Sequence, residues 1–129
     1  MKRLFGLVVI ITLGTSGHAQ EPTRSEVEMF FLRTQGFVGK SYTVVGKMSM
    51  ADQTSALLSV QADRLGSKTI SLRWKETSGH AWEEAQLQCG SASIKNAVCN
   101  KVRATGIVTA NEYMKDSYYL AGVEYEFVK

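Results

Sequence analysis

The sequence is poor in the residues that usually build catalytic or metal centres. Its 129 residues include only two cysteines, two histidines and one proline. Neither the spacing of a Cys/His metal site nor a phosphate-binding, dinucleotide-binding or hydrolase nucleophile motif occurs. The 44% hydrophobic and 21% charged content is ordinary for a globular protein and excludes collagen-like and low-complexity chains. We therefore expect no metal, no cofactor and no enzymatic activity.

Long hydrophobic runs are also absent, and the one apolar run near the N-terminus is short. Lys2 and Arg3 precede an apolar core, Leu4 to Leu13. This core has about half the twenty residues that a membrane-spanning helix needs. Gly17 and Ala19 then place small residues at the −3 and −1 positions of a cleavage site. The pattern predicts a secretory signal peptide cut after Ala19; the alternative is an uncleaved N-terminal anchor.

Removal of residues 1–19 would leave little excess charge of either sign. The full chain has 15 basic and 12 acidic residues, for a net charge of +3. Without Lys2 and Arg3 the count is 13 against 12, a net charge of +1. A nearly neutral protein argues against nucleic acid as a partner. We expect residues 20–129 to form one periplasmic or secreted domain without a membrane span.

The two cysteines, Cys89 and Cys99, predict a structural disulfide. An even number of cysteines in an exported protein favours pairing. In the chain-entropy model, a loop of this size contributes about 3 kcal/mol. A metal site would need more ligands, and a cysteine nucleophile would need a histidine partner. Only His80 would remain after leader removal.

A helix is predicted over residues 23–35. Thr23 and Glu26 have the spacing of a capping box, and Gly36 suits a C-terminal cap. Helical spacing places four residues on one stripe that we expect to pack against the rest of the domain: Val27, Phe30, Phe31 and Thr34.

After the helix, the hydrophobic pattern changes to a period of two. Strands are predicted at Ser41–Met50, Ala56–Ala62, Lys68–Lys75, Ala85–Cys89, Val102–Thr109 and Tyr118–Val128. The segment Ala81–Gln88 also fits a short helix, and Ser91–Val98 a loop or one helical turn. Short strands at this spacing predict a mainly-β fold, either a small five-stranded barrel with one N-terminal helix or a small antiparallel β-sandwich.

The alternation also predicts which side chains point inward. In the third segment, Ile70, Leu72 and Trp74 share the inward side. In the last segment, Glu124 and Glu126 share the outward side, where they would form a solvated edge.

The layout resembles the exported bacterial OB-fold domains of the tRNA-anticodon-like type. The resemblance rests on the run Phe37 to Lys47 (FVGKSYTVVGK), on Gln86 to Cys89 (QLQC), on Asn100 to Val108 (NKVRATGIV) and on a closing strand. It implies a small, partly open OB barrel in which strand glycines such as Gly46 and Gly106 allow sharp bends. Asn100-Lys101 and Ala104 depart from the usual pattern of the fourth strand.

OB barrels usually bind through their second and third strands and the adjoining loops. Basic side chains near aromatic ones are typical of such surfaces. Candidate binding residues by this criterion are Lys47, Arg73, Lys75, His80, Trp82, Arg103 and Tyr118. The alternative is that Trp74 belongs to the core and that Arg73 and Lys75 are ordinary solvent-facing residues.

Two functions fit these features. The first is an exported, non-catalytic OB-fold binding module of the bacterial envelope, with an unknown protein or small ligand as partner. The second is a secreted inhibitor or immunity-type protein that blocks an enzyme through a loop, for which Glu76 to Ala81 is a candidate. A small hydrolase is disfavoured, because Glu83 and Glu84 are adjacent and cannot easily converge on a cleft.

Overall fold

The computed structural model describes residues 21–75, 81–91 and 96–128. The predicted leader and His80 lie outside these ranges. Two α-helices, five strands and two short 3₁₀ turns are present there: α1 (Arg24–Leu32), a 3₁₀ turn (Thr34–Phe37), β1 (Ser41–Ser49), β2 (Ser55–Gln61), β3 (Ser67–Trp74), α2 (Ala81–Cys89), a second 3₁₀ turn (Ala97–Asn100), β4 (Val102–Ala110) and β5 (Tyr118–Phe127). None of the described helices is long and apolar enough to cross a membrane.

The strands form a closed barrel in the order β1-β2-β3-β5-β4, with β4 returning to β1. All neighbours are antiparallel except β3 and β5, which are parallel. This confirms the mainly-β, five-stranded, OB-like barrel and not the sandwich. The expectation that the barrel is partly open is wrong, because each strand pairs with both of its neighbours and the barrel is closed.

The core lies inside the barrel and consists of inward side chains from all five strands. Its fully or almost fully buried members include Val44, Met48, Leu58, Ile70, Leu72, Val102, Val108, Leu120 and Val123. Trp74 is also buried, and its Nε1–H donates to the carbonyl of Asp52 at 2.7 Å. The inward assignment of Ile70, Leu72 and Trp74 is therefore confirmed.

The two helices cover opposite ends of the barrel. Where β1 begins, the ring of Phe30 in α1 stacks on Tyr42 with centroids 4.0 Å apart. Just after β1 ends, the N–H of Ala51 donates to the carbonyl of Cys89 in α2 at 3.0 Å. Because the nine residues of β1 extend for about 30 Å, the contacts place α1 and α2 at the two mouths.

The capping box of α1 is present as predicted. The Thr23 hydroxyl accepts from the N–H of Glu26 at 3.1 Å, and the Glu26 carboxylate accepts from the N–H of Thr23 at 2.9 Å. The hydrogen bonds from Thr23 lower the pKa of Glu26. Val27 and Phe30 are buried, which confirms the core-facing stripe.

The C-terminal boundary of the predicted helix is wrong. The α-helix ends at Leu32, and Gly36 lies within the following 3₁₀ turn instead of capping it. Thr34 explains the early end, since its hydroxyl donates to the carbonyl of Phe30 at 2.8 Å. Side-chain bonds of this kind compete with the helical main chain.

The segment Ala85–Cys89 is not a strand, and the helical alternative is correct. It forms the second half of α2, with Glu83 and Glu84 in the first turn. Acidic residues in a first turn interact favourably with the helix dipole. Of the predicted bridging segment, residues 92–95 lie outside the described ranges, and residues 97–98 begin the second 3₁₀ turn.

The disulfide between Cys89 and Cys99 is present, with a Cα–Cα distance of 5.9 Å. Cys89 ends α2, and Cys99 lies in the 3₁₀ turn before β4. Both side chains are fully buried. The bond therefore ties the covering helix to the start of the fourth strand.

A β-bulge in β5 changes which side chains face the core. Thr105 pairs with Glu124, but Ile107 pairs with Ala121, so two residues of β5 face one of β4. One of the two is Gly122, whose φ of +61° suits the glycine of a bulge. As a result Leu120 and Val123 are both inward, although a strict alternation counted back from Glu124 would place Leu120 outward.

Candidate ligand-binding face

Two of the predicted binding residues lie together at the end of β3. Arg73 and Lys75 follow the inward residues of β3 and are exposed on the outer wall. The parallel pairing of Ser71 with Tyr119 places β5 beside them. We call the outer surface formed by Arg73, Lys75, Tyr119 and Glu124 the β3–β5 face.

Arg73 lies over an aromatic ring on this face. Its guanidinium carbon is 4.3 Å from the centre of the Tyr119 ring, a cation–π distance. The sequence pattern missed Tyr119, because the bulge at Gly122 turns this side chain outward. A glycine in the middle of a strand is the signal that could have indicated the change of face.

The other basic residues of this wall have carboxylate partners. Lys75 Nζ is 3.4 Å from Glu124 Oε2, and both side chains are more than half exposed. Arg103 on β4 forms an ion pair with Glu126 on β5, the residue opposite it in register. Both glutamates are on the outer wall, as predicted. An exposed ion pair such as that of Lys75 with Glu124 contributes about 1 kcal/mol or less.

Three further candidates lie away from the β3–β5 face. Lys47 is on β1, and β2 separates it from β3. Trp82 is in the first turn of α2 and packs partly against the core. Tyr118 begins β5 at the opposite mouth, where its hydroxyl hydrogen-bonds to Gln35 Oε1 at 2.8 Å. The structure therefore does not gather the predicted set into one site, and His80 lies outside the described residues.

Besides Glu26, shifted pKa values occur at two partly buried tyrosines and in one turn. Burial raises the pKa of Tyr42 and of Tyr125, with smaller contributions from nearby carboxylates. Backbone hydrogen bonds from Thr54 and Ser55 lower the pKa of Asp52 in the β1–β2 turn. Over the described ranges, no group of three His, Cys, Asp or Glu side chains could hold a metal ion.

The β4–β5 turn presents the most exposed aromatic side chain of the described part of the chain. Tyr113 is 89% exposed, and the adjacent Met114 is 61% exposed. Hydrogen bonds fix the turn: Asn111 N–H donates to the Ser117 carbonyl at 2.8 Å, and Tyr113 N–H donates to Asn111 Oδ1 at 2.9 Å. The turn is thus a structured loop with an apolar tip.

No protein-family model matches this chain, and no curated protein matches it. Its functional interpretation therefore rests on the geometry above.

Proposed function

We propose that the protein is an exported, non-catalytic binding module of OB-like fold whose ligand contacts the β3–β5 face. The observation that carries this proposal is the exposed Arg73 held over Tyr119. Within the described ranges, Arg73 has no carboxylate partner, whereas Lys75 and Arg103 do. A cation held on a ring without an acidic partner can bind a carboxylate group of a protein or small ligand.

Export is part of this proposal. It is supported by the signal-like pattern of residues 1–19 and by the buried disulfide, which is typical of oxidising compartments. The resemblance to exported OB-fold domains supports the same compartment, and we place the protein in the periplasm or the medium.

The proposal is tested by affinity capture from an envelope extract of the producing bacterium. Wild-type protein, Arg73→Ala and Lys47→Ala serve as baits, and the last is a matched control from another wall of the barrel. We expect the principal bound protein or small molecule to be lost with Arg73→Ala and kept with Lys47→Ala. Both variants should unfold within about 0.5 kcal/mol of wild type, as surface changes usually do. Equal capture by all three baits would contradict the proposed site.

A second candidate function is inhibition of an enzyme through a loop. It is favoured by the β4–β5 turn, because a loop that is already ordered loses less entropy on binding. The loop that the sequence suggests for this role, Glu76 to Ala81, lies almost wholly outside the described residues. We expect Tyr113→Ala, and not Arg73→Ala, to lose a captured enzyme if this function is correct. The purified protein should then also inhibit that enzyme in its own assay.

A further inference from the structure

A groove runs between the first half of β3 and the end of the β4–β5 turn. Its volume is about 550 Å³. Lys68 and Thr69 line one side, Asp116 to Tyr118 line the other, and the end of α1 with the following 3₁₀ turn completes the lining. The groove is distinct from the β3–β5 face, since neither Arg73 nor Tyr119 lines it.

The groove exists because β5 begins too late to cover all of β3. Their pairing starts at Ser71, which lies opposite Tyr119. Just before β5, the carbonyl of Ser117 accepts from Asn111 N–H, and its own N–H donates to the Met114 carbonyl at 3.3 Å. These bonds turn the chain back toward the end of β4. Among the described elements, no strand therefore pairs with residues 67–70 on this edge of β3.

The direction of the main-chain groups of β3 follows from its neighbours. The N–H of Trp74 donates to the carbonyl of Thr54 on the β2 side at 3.2 Å, whereas the N–H of Lys75 donates to β5 at 3.4 Å. Main-chain groups of successive strand residues point to opposite edges. Even-numbered residues of β3 thus bond to β2, and odd-numbered residues face the other edge. Ser67 and Thr69 therefore direct their N–H and C=O groups to the unpaired edge, and of these two Thr69 lines the groove.

We propose that this groove binds an extended peptide segment of a partner protein, which adds a short strand to the free edge of β3. Main-chain donors and acceptors repeated every second residue are complementary to another extended main chain. From Ser67 to Ser71 the edge is about 13 Å long, enough for four residues of peptide. This interaction is independent of the β3–β5 face and goes beyond the function proposed above.

The charge of the groove selects the kind of peptide. Arg33 and Lys68 both line it, both are exposed, and neither forms an ion pair within the described residues. Asp116 is the single acidic residue of the lining. We expect the bound segment to carry an acidic side chain near the two cations and to lack proline where its N–H groups must bond to β3.

Amide hydrogen exchange on the free protein tests the premise that the edge of β3 at Thr69 is unpaired. The amides of Lys68 and Ile70 should be protected by their bonds to β2, and the amide of Thr69 should exchange much faster. Protection of Thr69 equal to that of its two neighbours would overturn the proposal, because the edge would then already be occupied. A stable dimer in sedimentation, formed through this edge, would overturn it as well.

Binding is tested by selection from a displayed library of random eight-residue peptides. The enriched peptides should contain acidic residues and lack proline in their central positions. A synthetic copy of the best peptide should slow exchange of the Thr69 amide, and N-methylation of its alternate amides should abolish binding. No enrichment, enrichment of basic peptides, or tolerance of N-methylation would each overturn the proposal.

A matched pair of variants isolates the main-chain contact. Thr69→Pro removes the N–H that faces the groove and leaves the bonds to β2 in place, a position where strands accept proline. Thr69→Val keeps the N–H and replaces only the side-chain hydroxyl with a methyl group. We expect Thr69→Pro to weaken binding of the selected peptide about tenfold, in line with the loss of one hydrogen bond, and Thr69→Val to leave it unchanged. Equal affinity of the two folded variants for the peptide would overturn the main-chain contact. If Thr69→Pro fails to fold, binding of the N-methylated peptide to the wild-type protein tests the same contact, and undiminished binding would overturn it.

Discussion

At the scale of single residues, two glycines allow neighbouring strands to approach each other closely. A Cβ built on Gly46 would lie 2.1 Å from the carbonyl oxygen of Ser59, and one on Gly106 would lie 2.8 Å from that of Ala121. Backbone atoms cannot move aside as a flexible side chain can. The close approach of β2 to Gly46 and of β5 to Gly106 therefore requires that these two positions have no side chain.

We therefore expect Gly46→Ala to lower the free energy of unfolding by about 2–3 kcal/mol, within the range for overpacked sites. Gly106→Val should cost about 1–3 kcal/mol for the same reason. Gly36→Ala is the control, because no atom lies within 4 Å of its Cβ position. Urea unfolding measures all three, and an unchanged midpoint for Gly46→Ala would show that β1 and β2 are not this close in solution.

Glu28 is a buried carboxylate that the sequence pattern did not single out. Its Oε1 accepts from the N–H groups of Arg64 and Leu65, at 2.5 and 2.9 Å, and so joins α1 to the β2–β3 turn. Glu28→Ala leaves these two donors without an acceptor. We expect a loss of about 1–3 kcal/mol in unfolding experiments. Glu124→Ala, at an exposed ion pair, should cost no more than about 0.5 kcal/mol, and equal losses would exclude a special role for Glu28.

At the scale of elements, Asp52 organises the β1–β2 turn. Its Oδ1 accepts from the N–H groups of Thr54 and Ser55 at 2.8 and 2.9 Å. These bonds lower its pKa in the folded protein, so its contribution to stability is present above the pKa of the unfolded chain and is lost as pH falls through the folded value.

The urea concentration at the unfolding midpoint should consequently decrease as the pH is lowered from about 5 to about 2, as for any protein with such carboxylates. In Asp52→Asn this fall should be shallower, because the titrating group is absent. A pH dependence identical to that of wild type would contradict the role of the Asp52 carboxylate.

The disulfide between Cys89 and Cys99 also links two elements. Since it holds α2 to the start of β4, its reduction should release the cover of one barrel mouth. We expect the melting temperature to fall by about 10 °C, from a loss of about 3 kcal/mol. Calorimetry with and without reductant measures the change. Two titratable thiols in the natively exported protein would contradict the bond itself.

At the scale of the whole molecule, both mouths of the barrel are covered and the outer wall is open. Phe30 lies over one mouth, and α2 approaches the other through the bond between Ala51 and Cys89. Described elements thus lie at both mouths of the barrel. The surfaces proposed above for binding, which are the β3–β5 face, the β4–β5 turn and the groove beside β3, all lie outside the barrel interior.

The export prediction also belongs to this scale. We expect the protein recovered from the producing cell to begin at Gln20, with or without cyclisation to pyroglutamate. Intact-mass measurement checks the start of the chain. A mature form that still contains Met1 to Gly17 would show that the leader is retained.

The local pattern of the sequence was sufficient for the elements whose partners are close along the chain. The capping box of Thr23 and Glu26, the inward side of β3 and the mainly-β class all follow from local spacing, because helix caps and strand alternation depend on near neighbours. The pairing of Cys89 with Cys99 followed from their being the only two cysteines.

The tertiary structure decided what depends on distant neighbours. The bulge at Gly122 forms against β4 and turns Tyr119 outward. The contact of the Arg73 guanidinium with the Tyr119 ring therefore exists only in the folded barrel. The sequence of α2 is compatible with either a helix or a strand, because a short apolar segment fits both patterns. Packing at the mouth of the barrel favours the helix. The groove arises because β5 starts two strands away in sequence and covers only part of β3. Such an offset between two paired strands is set by sheet pairing and has no signature in the residues of β3 themselves.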